Sequence, residues 1–240
     1  MTSMTVEAVR LTKHYGDRSA VEDVSFMASR GEIVGLLGPN GAGKTTTIRL
    51  LTTVLSPTSG EFSIAGHPST EAAEIRRCVG VLPESSGYPA HQTGGEYLRF
   101  FARLSGLSRG VARTVAAELL ASVGLEDRAE SLISSYSRGM RQRLGIARSL
   151  VNDPVVVFLD EPTLGLDPAG QAQVLEIIRG IAKGRDATVV LSTHLLPEVE
   201  QVCSKVVILN HGRVIVSGSV GEVISTVLIK QSAQLRVPLN

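Results

Sequence analysis

Cysteine is scarce in this chain. Cys78 and Cys203 are the only two in 240 residues, and they lie far apart without CxxC spacing. That disfavours both a zinc site and a secreted disulfide framework, and it points to a reduced, cytoplasmic setting. Net charge is almost absent as well: 24 Lys and Arg stand against 23 Asp and Glu, a formal charge of +1. A chain so balanced has no general electrostatic reason to bind a polyanion, so no nucleic acid is expected as a partner. Long apolar runs are missing; the stretch VVVFL is far shorter than the roughly 18 residues of a membrane-spanning helix. If a membrane matters, another chain spans it. The opening segment MTSMTVEAVRLTKHYG alternates polar with apolar residues and lacks the apolar core of a signal peptide, so no export is expected. Internal repeats and low-complexity segments are not found.

What is present is a chain with 43% hydrophobic residues, long enough for one large domain or a domain carrying a sub-domain. TVEAVRLTKHY, VSFMA and EIVGLL read as β segments, followed by a glycine-rich loop and the helical KTTTIRLLTTVL. EFSIAG and CVGVL read as a further strand pair. The loop PESSGYPAHQTGG then marks the expected sub-domain border. Beyond it, Thr93 and Glu96 have capping-box spacing and Val111, Val115, Leu119, Leu120 and Val123 recur at helical intervals, so residues 93–152 are expected to be mostly helix. From Pro154 onward VVVFL, QAQVLEIIRGIAK, ATVVLST, LLPEVEQV and KVVILN alternate strand with helix, which predicts parallel pairing.

GPNGAGKTT, residues 38–46, follows an apolar strand and opens a helix, the context that the phosphate-loop pattern GxxxxGK[ST] requires. Gly38, Gly41 and Gly43 let the backbone curl its N–H groups inward around Pro39, Asn40 and Ala42. Lys44 is expected to reach the terminal phosphates of a nucleoside triphosphate, and Thr45, beside Thr46, to offer a hydroxyl to magnesium. Asp160 and Glu161 end the apolar VVVFL, where a buried carboxylate is costly unless it meets a cation or a cleft. Asp160 suits magnesium and Glu161 a water. His194 follows ATVVLST and can hydrogen-bond a terminal phosphate. If these strands are parallel neighbours, all three groups emerge along one sheet edge.

SYSRGMRQR, residues 135–143, is crowded with arginine and leads into LGIARSLV, whose apolar residues fit a buried helix face. Ser137 is a plausible cap with Gly139 in the first turn, which makes a second phosphate site separate from the first. Either the chain binds two anions, or this helix start closes over the nucleotide of another copy.

In this order, GPNGAGKTT, SRGMRQRLGIARSL, VVVFLDEP, GLDP at residues 165–168 and STH at residues 192–194 resemble the ATP-binding cassette family of transporter ATPases, over residues 5 to about 218. The resemblance implies an α/β fold: a P-loop NTPase core with a mixed or parallel sheet, an N-terminal antiparallel β subdomain and an inserted α-helical subdomain. In this chain that means residues 1–83 with 154–220 as the core, 84–153 as the helical part, and a short tail at 221–240. It implies ATP and Mg2+ as cofactors and a head-to-tail homodimer with two ATP molecules between the subunits. Ser137, Arg138, Gly139 and Met140 occupy the signature positions. By the same resemblance Tyr15 would stack on adenine, Asp167 would cross to the opposite site, and Glu161 would polarise the attacking water. A separate integral membrane permease is implied, with this chain on the inner face of the membrane and the loop at Tyr88 and Pro89 as part of the contact.

The chain departs from the family at two places. The usual LSGGQ reads YSRGM, and Glu84 stands where a glutamine is common; a carboxylate there can still ligate magnesium. Both variants resemble the exporter-like branch that carries drugs, antibiotics or lipids. Soluble cassette ATPases acting on ribosomes or DNA share the motifs, but usually carry two cassettes or a long inserted arm. A module that only holds ATP could lose the water-activating pair, whereas Lys44, Asp160, Glu161 and His194 are all intact.

Overall fold

The computed structural model describes residues 4–223 and Ser225. Long alternating segments build β1 (Met4–Tyr15) and β2 (Arg18–Ser29), which pair antiparallel. The fully buried β3 (Ile33–Leu37) leads through the glycine-rich loop into α1 (Lys44–Leu51). β4 (Ser59–Ile64) and the short β5 (His67–Pro68) complete a four-stranded sheet of order β2-β1-β4-β5. Next come α2 (Ala72–Cys78), β6 (Val79–Leu82), α3 (Gly94–Leu104), α4 (Arg109–Ser122) and α5 (Arg138–Ser149). The chain then alternates through β7 (Val156–Asp160), α6 (Pro168–Arg185), β8 (Thr188–Thr193), α7 (Leu196–Val202), β9 (Lys205–Asn210) and β10 (Arg213–Ser219).

The second sheet has the order β10-β9-β3-β8-β7-β6, parallel from β9 to β6 with only β10 antiparallel at its edge. Strands buried on both faces read as continuous apolar runs, and side chains alternate between the faces. Val34, Leu36, Val156, Phe158 and Val190 join a core with the antiparallel sheet and α1. Their neighbours Ile33, Val157, Leu159, Val189 and Leu191 join a separate core with α3, α4, α5 and α6. The sheet is thus the middle layer between a β layer and a helical layer.

EFSIAG and CVGVL do not pair with each other. β4 belongs to the antiparallel sheet and β6 to the edge of the parallel one, with α2 between them. That helix buries only Ile75, so its sequence carries almost no amphipathic signal. β10 is a further strand outside the sequence-based reading; its Ile215 faces outward and is 63% exposed, as an edge strand allows. The expected capping box at Thr93 and Glu96 is present in both directions. The expected tail lies, beyond residue 223 and apart from Ser225, outside the described residues. Both cysteines are free, and burial with the nearby Glu198 carboxylate pushes the Cys203 thiol up to about 12.

α5 is fastened to β6 by close backbone approach. A Cβ on Gly80 would collide with the Ser149 carbonyl, the Arg148 guanidinium donates to the Val81 carbonyl at 2.7 Å, and Asn152 Nδ2 donates to the Arg77 and Val79 carbonyls. Gly80→Ala therefore forces backbone apart. Overpacking of this kind costs roughly 1–3 kcal/mol, which for a chain of this size lowers the melting temperature by roughly 2–12 °C; differential scanning calorimetry measures it.

Candidate functional site

The phosphate-loop residues lie between the end of β3 and the start of α1. Gly41 and Gly43 take φ of +81° and +103°, the left-handed region that a side chain resists. Space adds a second constraint, since a Cβ on Gly43 would sit 2.7 Å from the Ala20 carbonyl oxygen. α1 starts directly from this loop, and the first N–H groups of a helix have no partner within it, which is the physical basis of an anion cradle. Residues 40–46 line a cavity of about 500 Å3 together with Arg18, Ser19, Ala20, Glu84, Glu161 and His211. A larger cavity of about 680 Å3 lies among α2, α4 and the end of α5, lined in part by Arg76, Arg77, Val111 and Val115, and holds none of the expected chemical groups.

Strand register brings Glu161 to this cavity, and Asp160 and His194, which do not line it, bond to residues that do. Asp160 ends β7 opposite Ser192 on β8, and Leu37 at the end of β3 lies opposite Thr193. Asp160 Oδ1 accepts from Thr45 Oγ1 at 3.1 Å and from Ser192 Oγ at 2.6 Å. Glu161 adopts φ +49°, a left-handed conformation that costs a non-glycine residue about 1–2 kcal/mol. Its N–H donates to Ser192 Oγ at 2.9 Å. One buried hydroxyl therefore donates to one carboxylate and accepts from the backbone of the next residue, fixing both at the strand end.

The Glu161 carboxylate is buried between two basic side chains. Oε1 lies 3.1 Å from Lys44 Nζ, an ion pair without hydrogen-bond alignment. Oε2 lies 3.0 Å from His194 Nδ1. Lys44 Nζ also donates to the Gly38 carbonyl at 2.7 Å and the Pro39 carbonyl at 3.2 Å, so it turns back over its own loop. A triphosphate would offer this ammonium a stronger set of oxygens. A buried carboxylate flanked in this way is equipped to orient a water and accept its proton beside a bound phosphate.

The oxygen groups of Thr45, Asp160 and Glu84 suit a hard cation such as Mg2+, which takes one or two carboxylates and completes its shell with water and phosphate. Among the described residues no cluster of His, Cys, Asp and Glu could hold a metal alone. The hydroxyls of Thr45 and Ser192 already converge on Asp160 Oδ1, so the donor set fits a metal that arrives with its nucleotide.

The second set of predicted residues gathers elsewhere. Ser137 caps α5, its Oγ accepting from the Met140 N–H at 3.2 Å. Asp167 caps α6, its Oδ1 accepting from the Gly170 N–H at 3.3 Å. Both helix starts open on one cavity of about 320 Å3, where Ser137, Arg138, Gly139 and Met140 face Gly165, Leu166 and Asp167. The Arg138 guanidinium fills the space that a Cβ on Gly165 would need.

Tyr15 is 48% exposed at the end of β1 and does not line the first cavity; its hairpin partner Arg18 does. Sequence reasoning missed Ser192 as a participant, although it stands inside the quoted STH. It also missed Arg18, Ser19, Ala20 and His211. His211 and Gly212, at φ +47° and +79°, form the two-residue turn between β9 and β10, with the positive φ at both positions that such a hairpin turn requires. Its nearness to the phosphate loop, where the Gly212 N–H donates to the Ala42 carbonyl at 3.0 Å, is tertiary information.

Residues 21–164 match the ABC transporter family. The chain belongs to that family. The cassette is 40% identical over 222 residues to the daunorubicin resistance ATP-binding protein DrrA3 of Streptomyces coeruleorubidus, covering 92% of this chain and 69% of the relative. It is 37% identical over 227 residues to the Nod factor export ATP-binding protein I of Paraburkholderia xenovorans, covering 94% of this chain and 74% of that protein. Among solved structures it is similar to a dimeric ATP-binding cassette in a post-hydrolysis state bound to ADP and Pi, with TM-score 0.80 and 25% identity over 90% of this chain and 98% of the other. As a member of this family the cassette binds and hydrolyses ATP.

Ser192→Ala leaves the Glu161 N–H and the Asp160 carboxylate each one partner short in a buried setting, a cost of about 1–3 kcal/mol. The cassette should melt at a lower temperature, and ATP turnover followed by phosphate release should drop by about tenfold or more as Glu161 loses its position. Ser192→Thr keeps the hydroxyl and is expected to recover most of both.

Proposed function

We propose that the cassette is the ATP-driven subunit of a membrane exporter, with two copies closing head to tail around two Mg-ATP molecules. The observation that supports this most directly is that one chain presents two helix starts suited to an anion in cavities with no residue in common. One nucleotide needs a single phosphate loop, so the cap of α5 is left to serve the nucleotide of a second copy. Residues 38–46 then hold the triphosphate of one subunit, with Tyr15 near the base and Thr45, Asp160 and Glu84 around Mg2+, which neutralises phosphate charge. Ser137, Arg138, Gly139, Met140 and Asp167 of the other subunit cover it. Glu161 takes the proton of the attacking water, and His194 holds Glu161 and the terminal phosphate in line.

Residues 1–83 with 154–220 act as the nucleotide-binding core and residues 84–153 as the helical arm. In this reading the transport path belongs to a separate permease; among the described residues no helix is long and apolar enough to cross a membrane. In this reading the cassette sits on that permease at the inner face of the membrane, and closing and reopening of the dimer moves it. The relatives named for daunorubicin resistance and Nod factor export favour an outward cargo such as a drug, antibiotic or lipid.

Glu161→Gln tests the catalytic and the assembly halves together. The variant should bind Mg-ATP and accumulate as a dimer in small-angle scattering, while turnover falls by about 100-fold or more. Wild-type turnover would remove Glu161 from its role. A variant saturated with Mg-ATP that stays monomeric would remove the head-to-tail sandwich.

A further inference from the structure

His194 is held from behind by a buried pair that the reading above does not use. Thr193 and Glu198 are 0% and 4% exposed. Thr193 Oγ1 donates to Glu198 Oε2 at 2.6 Å, and the same oxygen accepts from the Leu195 N–H at 3.1 Å. The residue enclosed by this small ring is His194. Glu198 lies in the first turn of α7 but does not cap it, since the cap position at Leu195 has no side-chain hydrogen bond.

A hydroxyl has one proton and two lone pairs. Without a strong acceptor, the Thr193 proton could turn toward any nearby oxygen and leave the Leu195 N–H poorly served. The Glu198 carboxylate takes that proton in a short bond, charge-assisted when the carboxylate is ionised, which directs a lone pair at Leu195 and fixes the turn. Burying this carboxylate is expensive, the more so because Glu198 Oε1 has no hydrogen-bond partner among the described residues. An apolar residue of similar size is the cheaper choice for stability alone. We infer that Glu198, acting through Thr193, is a positioning residue that holds His194 at its 3.0 Å contact with Glu161. The inference rests on the proposed role of His194 in turnover.

The test is steady-state ATP turnover of the full chain for Thr193→Val, Thr193→Ser, Glu198→Leu and His194→Ala, with kcat and KM resolved. Thr193→Val and Glu198→Leu should each lower kcat by about tenfold with KM for ATP changed by less than about twofold, because the phosphate loop is untouched. Thr193→Ser, which keeps the hydroxyl, should restore kcat. In a His194→Ala background, Thr193→Val should add no further loss, whereas a purely structural defect would multiply. Glu198→Leu keeps the inference falsifiable if Thr193→Val fails to fold. Normal kcat in Glu198→Leu, or equal impairment of Thr193→Ser and Thr193→Val, overturns the inference while an impaired His194→Ala leaves the role of His194 standing. Wild-type turnover in His194→Ala overturns that role instead.

Discussion

The ion pair between Lys44 and Glu161 ties the phosphate loop to the end of β7, and the rest of the site is arranged around it. Lys44 belongs to the start of α1 and Glu161 to the loop after β7, two segments more than a hundred positions apart in sequence and 3.1 Å apart at their charged atoms. His194 approaches the same carboxylate from the end of β8. With both partners buried, neither charge has water to fall back on, so each restrains the other. In the proposed reading the arrangement would make Glu161 responsive to nucleotide: a triphosphate that drew Lys44 away would leave the carboxylate with His194 as its basic neighbour.

The arginine-rich start of α5 divides its charges between two tasks. Arg141 donates to the Tyr136 carbonyl and Arg143 to the Val123 and Gly124 carbonyls. These bonds pin the helix to the segments around it, while Arg143 also lines the cavity shared with Asp167. Arg138 has no such bond among the described residues and lies against Gly165, beside the loop that carries Asp167. A cluster that reads as a basic patch is therefore mostly a set of backbone clamps, in keeping with a chain whose net charge is +1.

The candidate site was legible where its signals are local. The phosphate loop shows itself through glycines and a lysine between a strand and a helix, and Asp160, Glu161 and His194 stand out as polar residues that end apolar runs. The helix caps at Thr93 and Ser137 were readable for the same reason, because a cap is a contact between residues three apart. Ser192, Glu198 and His211 were not legible, since what they do depends on which strand or turn lies beside them. Glu198 read only as one polar position in a short helix. α2 and β10 were missed because neither presents a strong apolar stripe, and the supposed pairing of β4 with β6 failed because adjacency in sequence does not decide which sheet a strand joins.

Register connects the hydrophobic core to the chemistry. β7 and β8 each bury alternate residues in two different cores, so sliding either strand by one position would exchange the side chains of both faces. The two cores hold Val156 and Phe158 on one side and Val157 and Leu159 on the other, and that packing forbids the slip. The same register sets Asp160 opposite Ser192. Shifted by one residue, the serine hydroxyl would meet Leu159, the Glu161 N–H would lose its acceptor, and the left-handed turn at Glu161 would have nothing to hold it. Aliphatic side chains of the two cores thus set the position of the two carboxylates, and the cost of burying the charged groups is borne by the layers above and below the sheet.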